Sequence, residues 1–296
     1  MEPPKFVTAD WLKEEVGKPD TKTRVLDATW HLPPWKRDAA AEHASCRVKG
    51  ATFMDLRVVH DASSKLPNTA PSKEHFEKCM GDLGITSDTS VVVYDNNEQF
   101  GGFSAARAWL LFKMFGHRDV AILDGGLPAY LKSGGPTDSG PPTIPQPATY
   151  KAEDNKAKHL RDYDQMLANW KDKTAQVVDA RPAGRFNGTA PEPNPNLPSG
   201  HMIGAYNVCF KDLFKPDTKT MKSPEEMKQV FQQAGVDFSK PVITMCTSGM
   251  VSSWIVACGL MCGWKDVPLY DNSWSQWVKE APDEMKKVGV KGADMK

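Results

Sequence analysis

The sequence offers little to a disulfide scaffold: six cysteines (Cys46, Cys79, Cys209, Cys246, Cys258 and Cys262) in 296 residues, with no CxxC spacing. That excludes a cysteine-stapled module and a thiolate metal site, and it predicts reduced thiols among which one is special. No metal or organic cofactor is expected. An excess of charge is also missing, since 37 basic residues balance 37 acidic ones. Without a global field the chain is not built to recruit nucleic acid or an anionic membrane, so any anion site must be local. No run reaches the roughly 18 apolar residues of a membrane span. Met1 to Lys18 carries neither an apolar core nor an Arg/Ser-rich amphipathic pattern. A soluble protein of the cytoplasm is the expectation, with a mitochondrial pool also compatible.

What is present is repetition. A chain of this length exceeds what one hydrophobic core usually organises, and its landmarks recur in order. Val25-Leu26-Asp27-Ala28 returns as Val177-Val178-Asp179-Ala180, and Gly50-Ala51 as Gly204-Ala205. Ser72, leading to Leu83-Gly84-Ile85, returns as Ser223, leading to Ala234-Gly235-Val236. Leu123-Asp124-Gly125-Gly126 returns as Tyr270-Asp271-Asn272-Ser273. The offset drifts only from 152 residues (Asp27 to Asp179) to 147 (Asp124 to Asp271), which identifies a tandem duplication. Ser133 to Pro147 is too rich in proline and glycine to continue a helix or a central strand. The expected organisation is therefore a first unit over 1–137, a linker over 138–158 and a second unit over 159–296.

Within each unit, short β-branched runs such as Val91 to Tyr94 and Val242 to Met245 read as buried strands. They alternate with helical stretches, Ser104 to Phe115 and Pro224 to Ala234 among them. Ser223-Pro224-Glu225-Glu226 supplies an N-cap, a first-turn proline and first-turn acids. Such alternation predicts an α/β fold, each unit a mainly parallel sheet flanked by helices. Ligands of such sheets sit beyond the carboxyl ends of the strands.

Cys246 falls at that place. The strand Val242 to Met245 ends there, Thr247-Ser248-Gly249 follows, and an apolar helical run begins near Met250. Unpaired N–H groups and the positive end of a helix dipole favour a thiolate over a thiol, and they would equally hold a persulfide. Gly249 allows a positive φ in that loop. The duplication sets Asp95 opposite Cys246, in a loop about four residues longer. The position is therefore expected to be solvated enough to take a charge in one unit, and the two units diverge just there.

These features, together with Gly184-Arg185-Phe186-Asn187-Gly188-Thr189, the following Pro191-Glu192-Pro193, Gly200-His201-Met202-Ile203-Gly204-Ala205 and Asp271 to Trp277, resemble the two-domain rhodanese family over essentially the whole chain. Within it the loop is most similar to that of members using 3-mercaptopyruvate, because Thr247 and Ser248 are neutral where thiosulfate-preferring members have Arg and Lys. The resemblance implies a catalytic second domain and an inactive first domain that closes one side of the cleft. It makes Cys246 the sulfur carrier and Ser248 a hydroxyl for proton handling. Arg185, Thr247, Gly249, Met250 and Val251 become substrate-binding residues. The implied partners are a small-molecule sulfur donor and a thiol acceptor such as thioredoxin.

The pattern departs from the family in three places. Asn194 stands where a second arginine is common, Met250-Val251 replaces a Val-Thr ending with Ser252 one step later, and Asn68 stands where some members have a histidine. Other residues read as structural: His201 as a hydrogen-bonding residue before a turn, Asp179 and Arg181 as an ion pair, and Cys258 and Cys262 as packing. Trp30, Trp35 and Phe103 are candidates for the cleft wall. Thiosulfate:cyanide sulfur transfer is the nearest rival activity. A phosphatase would need an arginine six residues after the cysteine, and Ser252 is there instead. A non-catalytic binding module would be expected to lose Cys246, Gly249 or Arg185, and all three are present.

Overall fold

A computed structural model describes residues 1–143 and 145–292. Each half builds one five-stranded parallel sheet, and the two have the same strand order. Across the first sheet the strands are Lys5–Val7, Val120–Leu123, Ser90–Tyr94, Thr23–Asp27 and Thr52–Phe53. Across the second they are Leu160–Arg161, Leu269–Tyr270, Val242–Met245, Gln176–Asp179 and Tyr206–Asn207. The register repeats too: Asp27 pairs with Tyr94 as Asp179 pairs with Met245. Strands covered on both faces must be apolar throughout, and Val91 to Tyr94 and Val242 to Met245 are buried without a break. The α/β duplication read from the sequence is the architecture found.

The helices start where the local chemistry stops the chain from continuing as loop. Ser223 accepts from the Glu226 N–H while the Glu226 carboxylate takes the Ser223 N–H, a reciprocal cap with Pro224 at the first helical position. The helix runs Pro224–Gln233, ending one residue short of the sequence expectation. The segment between the sheets is anchored to the first half. Thr137–Asp138 pairs antiparallel with Arg47–Val48, and Tyr150 is buried against Phe76. Glu153 and Asn155 donate their N–H groups to the carbonyls of Phe115 and Met114.

Two equivalent helices, Ala105–Met114 and Ser252–Met261, pack against each other between the sheets. Ser252–Met261 is apolar on every side, which water tolerates only if every side is covered. The helix of the other half covers the remaining face, so one apolar cluster runs through both halves and includes Trp109 and Trp254. The polar contacts around this seam obey an approximate twofold symmetry. Asp271 accepts from the Ala70 N–H at 2.7 Å, and its counterpart Asp124 accepts from the Met221 N–H at 2.8 Å. Ala70 and Met221 each lie two residues before a helix-capping serine. This is the geometry of a self-complementary dimer interface held within one chain.

The two carboxylates are nevertheless unequal. Asp271 forms a buried ion pair with Arg107 at 2.8 Å, whereas burial pushes the Asp124 carboxyl above the ordinary aspartate range against the Met221 N–H and Lys215. Asp271→Asn leaves the Arg107 guanidinium without its counterion and is expected to cost about 3–5 kcal/mol. Asp124→Asn keeps the acceptor and removes a carboxylate whose folded pKa is raised. Such a group contributes stability at low pH that is lost as pH rises through its folded value. The Asp124→Asn variant should therefore match or exceed wild type at pH 7, with the advantage vanishing in acid. Urea unfolding of both variants at neutral and acid pH checks this. Equal losses for the two would refute the asymmetry.

Candidate functional site

The second sheet delivers Cys246 to the end of its middle strand, where the chain must turn into Ser252–Met261. The Cys246 backbone is fixed on both sides: its N–H donates to Ser273 Oγ at 3.1 Å and its carbonyl accepts from the Trp274 N–H at 3.0 Å. The cysteine is 1 % exposed, and its sulfur receives a hydrogen bond from Ser252 Oγ at 3.4 Å. Ser252, one step beyond the place of the family's threonine, thus brings a hydroxyl to the sulfur. Among the described residues, the six backbone N–H groups from Thr247 to Ser252 donate to no protein acceptor. Consecutive free N–H groups in a turn before a helix form an anion-binding concavity.

The first half shows what this turn binds. Asp95, in the place of Cys246, accepts at Oδ2 from the N–H groups of Phe103, Ser104 and Ala105 at 2.7, 2.8 and 2.7 Å. Contrary to the expectation of a solvated position, Asp95 is buried; burial pushes its carboxyl up, and those three backbone donors oppose the shift. Counting from the helix starts, the matching donors in the second half are Met250, Val251 and Ser252. The longer first loop therefore closes on its own carboxylate, while the shorter second loop leaves its donors to the sulfur side.

A cavity of about 480 Å³ opens over Cys246, lined by both halves. Thr247, Ser248, Met250 and Val251 line it, while Gly249 lies behind, with φ +77°. A Cβ at position 249 would sit 2.8 Å from the Asp271 carbonyl oxygen, so the glycine is required by this close approach to the interdomain seam. Trp30 and Phe103 contribute an aromatic wall from the first half, stacked with centroids 5.9 Å apart. Trp35 supports Phe103 from behind at 4.9 Å. Asn68, also from the first half, donates from Nδ2 to Ser248 Oγ at 2.9 Å. The Ser248 oxygen is thus an acceptor toward Asn68 and keeps its own proton for another partner.

Arg185 lines the cavity with its side chain mostly buried, one arm on Glu192 Oε2 at 3.2 Å. Glu192 organises this side of the site and was not singled out from the sequence. Its carboxylate, fully buried, also takes Arg181 Nη1 at 2.8 Å and the Thr247 hydroxyl at 2.9 Å. Burial alone would lower the Arg181 guanidinium, but Asp179 and Glu192 overcome it and hold its pKa above the usual arginine value. The expected Asp179–Arg181 ion pair is present at 2.6 Å. A glutamate between two prolines, eleven residues after one arginine and seven after another, was the available signal. His201 donates from Nδ1 to the Phe186 carbonyl at 2.8 Å and stacks on the Phe186 ring, away from the cavity. Asn194 is exposed at the rim. Lys65 and Lys279, also missed, line the cavity as well, so its lining carries three cations and no carboxylate. Cys258 is fully buried, and burial raises its thiol well above the ordinary range.

A paired sheet of this topology, with a cysteine in an anion-binding turn in one half and an aspartate in the other, defines a class of group-transfer protein. A model of the rhodanese-like domain matches residues 8–133 and 162–280, and the chain belongs to the rhodanese family of sulfurtransferases. Thiosulfate sulfurtransferase of Rattus norvegicus is 42% identical over 282 residues, covering 94% of this chain and 93% of that protein. Human 3-mercaptopyruvate sulfurtransferase is 38% identical over 281 residues, with the same coverage of 94% and 93%. Among solved structures, the Tum1 protein from Saccharomyces cerevisiae superposes with a TM-score of 0.85 at 29% identity, covering 99% of this chain and 100% of that one. SseA from Escherichia coli, described as a 3-mercaptopyruvate sulfotransferase, gives 0.81 at 32% identity over 92% of this chain and 100% of its own.

Removing the Glu192 carboxylate should unfasten three side chains at once. Glu192→Ala is expected to cost roughly 3–5 kcal/mol, the usual result of stripping a partner from a buried ion pair. It should also weaken donor binding through a loosened Arg185. Chemical denaturation and the KM for the sulfur donor test this. A variant as stable as wild type with an unchanged KM would show that Glu192 holds neither arginine in place.

Proposed function

We propose that the protein moves the sulfur of 3-mercaptopyruvate through a persulfide on Cys246 to a thiol acceptor, releasing pyruvate. The observation that carries the choice of donor is the pair of neutral residues after the cysteine. Thr247 spends its hydroxyl on Glu192, and Ser248 is oriented by Asn68. A donor bringing one carboxylate and a carbonyl suits hydroxyl and amide groups near the sulfur with a guanidinium farther out. Arg185 is the proposed carboxylate partner, with Lys65 or Lys279 supplying the second positive charge that Asn194 does not.

In the first step the Cys246 thiolate attacks the donor sulfur, an S–S bond forms and the C–S bond breaks. The electron pair of that bond leaves on the pyruvate enolate, which takes a proton to become pyruvate. Ser248 is placed to hydrogen-bond the donor carbonyl or to pass that proton. The N–H groups from Thr247 to Ser252 stabilise the anionic sulfur before and after transfer. In the second step an acceptor thiolate attacks the outer sulfur, leaving the Cys246 thiolate and an acceptor persulfide. Thioredoxin or a small thiol is the proposed acceptor, and the cytoplasm the proposed compartment.

A second reading, thiosulfate as donor, is favoured by the three cations of the cavity lining and by the rat thiosulfate enzyme, which is the more similar of the two relatives at 42% against 38%. Pyruvate release and sulfite release distinguish the two. With 3-mercaptopyruvate and a thiol acceptor, wild type should release pyruvate and gain the mass of one sulfur atom on Cys246, and Cys246→Ser should do neither. Faster loading from thiosulfate, with sulfite as product, would reverse the donor assignment. A Cys246 that gains no sulfur from either donor would overturn the persulfide mechanism.

A further inference from the structure

The interdomain seam contains a cation with no equivalent on its symmetric side. Arg107 is the third residue of Ala105–Met114, and the third residue of Ser252–Met261 is Trp254. Trp254 lies over Gly102, where a Cβ would come within 2.3 Å of its ring, and donates to the Phe103 carbonyl at 3.2 Å. It therefore packs against the loop that carries Asp95. Arg107, 2 % exposed, occupies the matching place against the loop that carries Cys246.

Its contacts converge on that loop by two routes. Nη2 donates to the Asn68 carbonyl at 2.6 Å and meets Asp271 Oδ1 at 2.8 Å. Asn68 has a left-handed backbone, φ 61°, a conformation asparagine adopts more readily than most residues. The bond from Arg107 fixes its carbonyl there, and the same residue's amide reaches Ser248 Oγ. Asp271 fixes the next position, because its carbonyl and Oδ1 would lie 2.8 and 3.0 Å from a Cβ at Gly249. Arg107 Nη1 would be 3.2 Å from the same Cβ and donates to no acceptor among the described residues. It borders a void of about 10 Å³ shared with His60, Asn68 and Met250.

We infer that Arg107, on the half without the cysteine, is a positioning residue for sulfur transfer: through Asn68 and Asp271 it sets where Ser248 and Gly249 stand relative to the Cys246 sulfur. The Asp271 charge cancels that of Arg107, so the pair acts by geometry rather than by field. The counterpart Lys219 also has a left-handed backbone, φ 59°, but its carbonyl crowds Gly101 and, among the described residues, meets no guanidinium. The device is present only where a reactive sulfur needs it. This inference rests on sulfur transfer at Cys246 and not on which donor supplies it.

The test uses the full chain with Arg107→Lys, which keeps a charge but loses the fork, and the double variant Arg107→Met/Asp271→Asn, which removes both charges so that neither is orphaned. Persulfide formation on Cys246 is followed by mass, with whichever donor loads wild type faster. The expected result is a loss of kcat on the order of 10- to 100-fold in both, as for small misplacements of reacting groups, with donor KM close to wild type because Arg185 is untouched. In a Ser248→Ala background the Arg107→Lys loss should shrink markedly, because the route through Asn68 ends on that hydroxyl. Wild-type kcat in the charge-balanced variant, or losses that multiply with Ser248→Ala, would overturn the inference and leave Arg107 a stabilising residue alone. Donor preference is read from pyruvate against sulfite in wild type, so the two ideas fail separately.

Discussion

Each half of this protein turns from its central strand into a helix, and the turn leaves backbone N–H groups that need an acceptor. The rest of the structure answers that demand twice. In the first half Asp95 supplies the acceptor internally, with three bonds to one oxygen. In the second half the loop is shorter, no carboxylate among the described residues accepts from its backbone N–H groups, and a cysteine stands at the strand end with Ser252 on its sulfur. A satisfied turn is inert. An unsatisfied one favours whatever anion forms there, which is what a thiolate or a persulfide is.

The fold was legible because duplication leaves two records of one plan. Asp27 and Asp179, or Ser72 and Ser223, say little alone, but in matched order they establish two equal sheets. The loop at Cys246 stood out for the same reason, while Arg185 was singled out through the family resemblance alone. What escaped were contacts between residues remote in sequence, including those of residues the sequence had already named. Asn68 reaches Ser248 across 180 residues, and Asp271 reaches Ala70 across 201. Lys65 and Lys279 look like any solvated lysine until the cleft is assembled. Arg107 left a faint trace, being a cation inside the otherwise apolar run Ala105 to Phe112 with tryptophan at the matching place.

The site divides its work between rigid and adjustable parts. Glu192, Arg181 and Asp179 form a dry ionic knot whose members are fully buried. Replacing such a knot with apolar residues often costs nothing, whereas losing one member costs much. Its retention beside the cavity therefore points to orientation, and the side chains that leave it toward the cavity are Arg185 and Thr247. On the opposite wall the first half contributes aromatic surface and Asn68, which shape the cavity without carrying charge. The cations at the mouth, Lys65 and Lys279, lie on exposed side chains.

The seam of paired carboxylates also bears on how the protein is made. The first half is synthesised first and can close its own sheet early, since all five of its strands precede residue 124. The stretch from Asn68 to Ala70, however, takes part of its partners from Ser248, Asp271 and Asn272 in the second half. Domains that fold as they emerge do so in N-to-C order. The wall over Cys246 thus stays unlatched until the second half has been made through Asn272, and the cysteine meets its finished surroundings only once both halves are present.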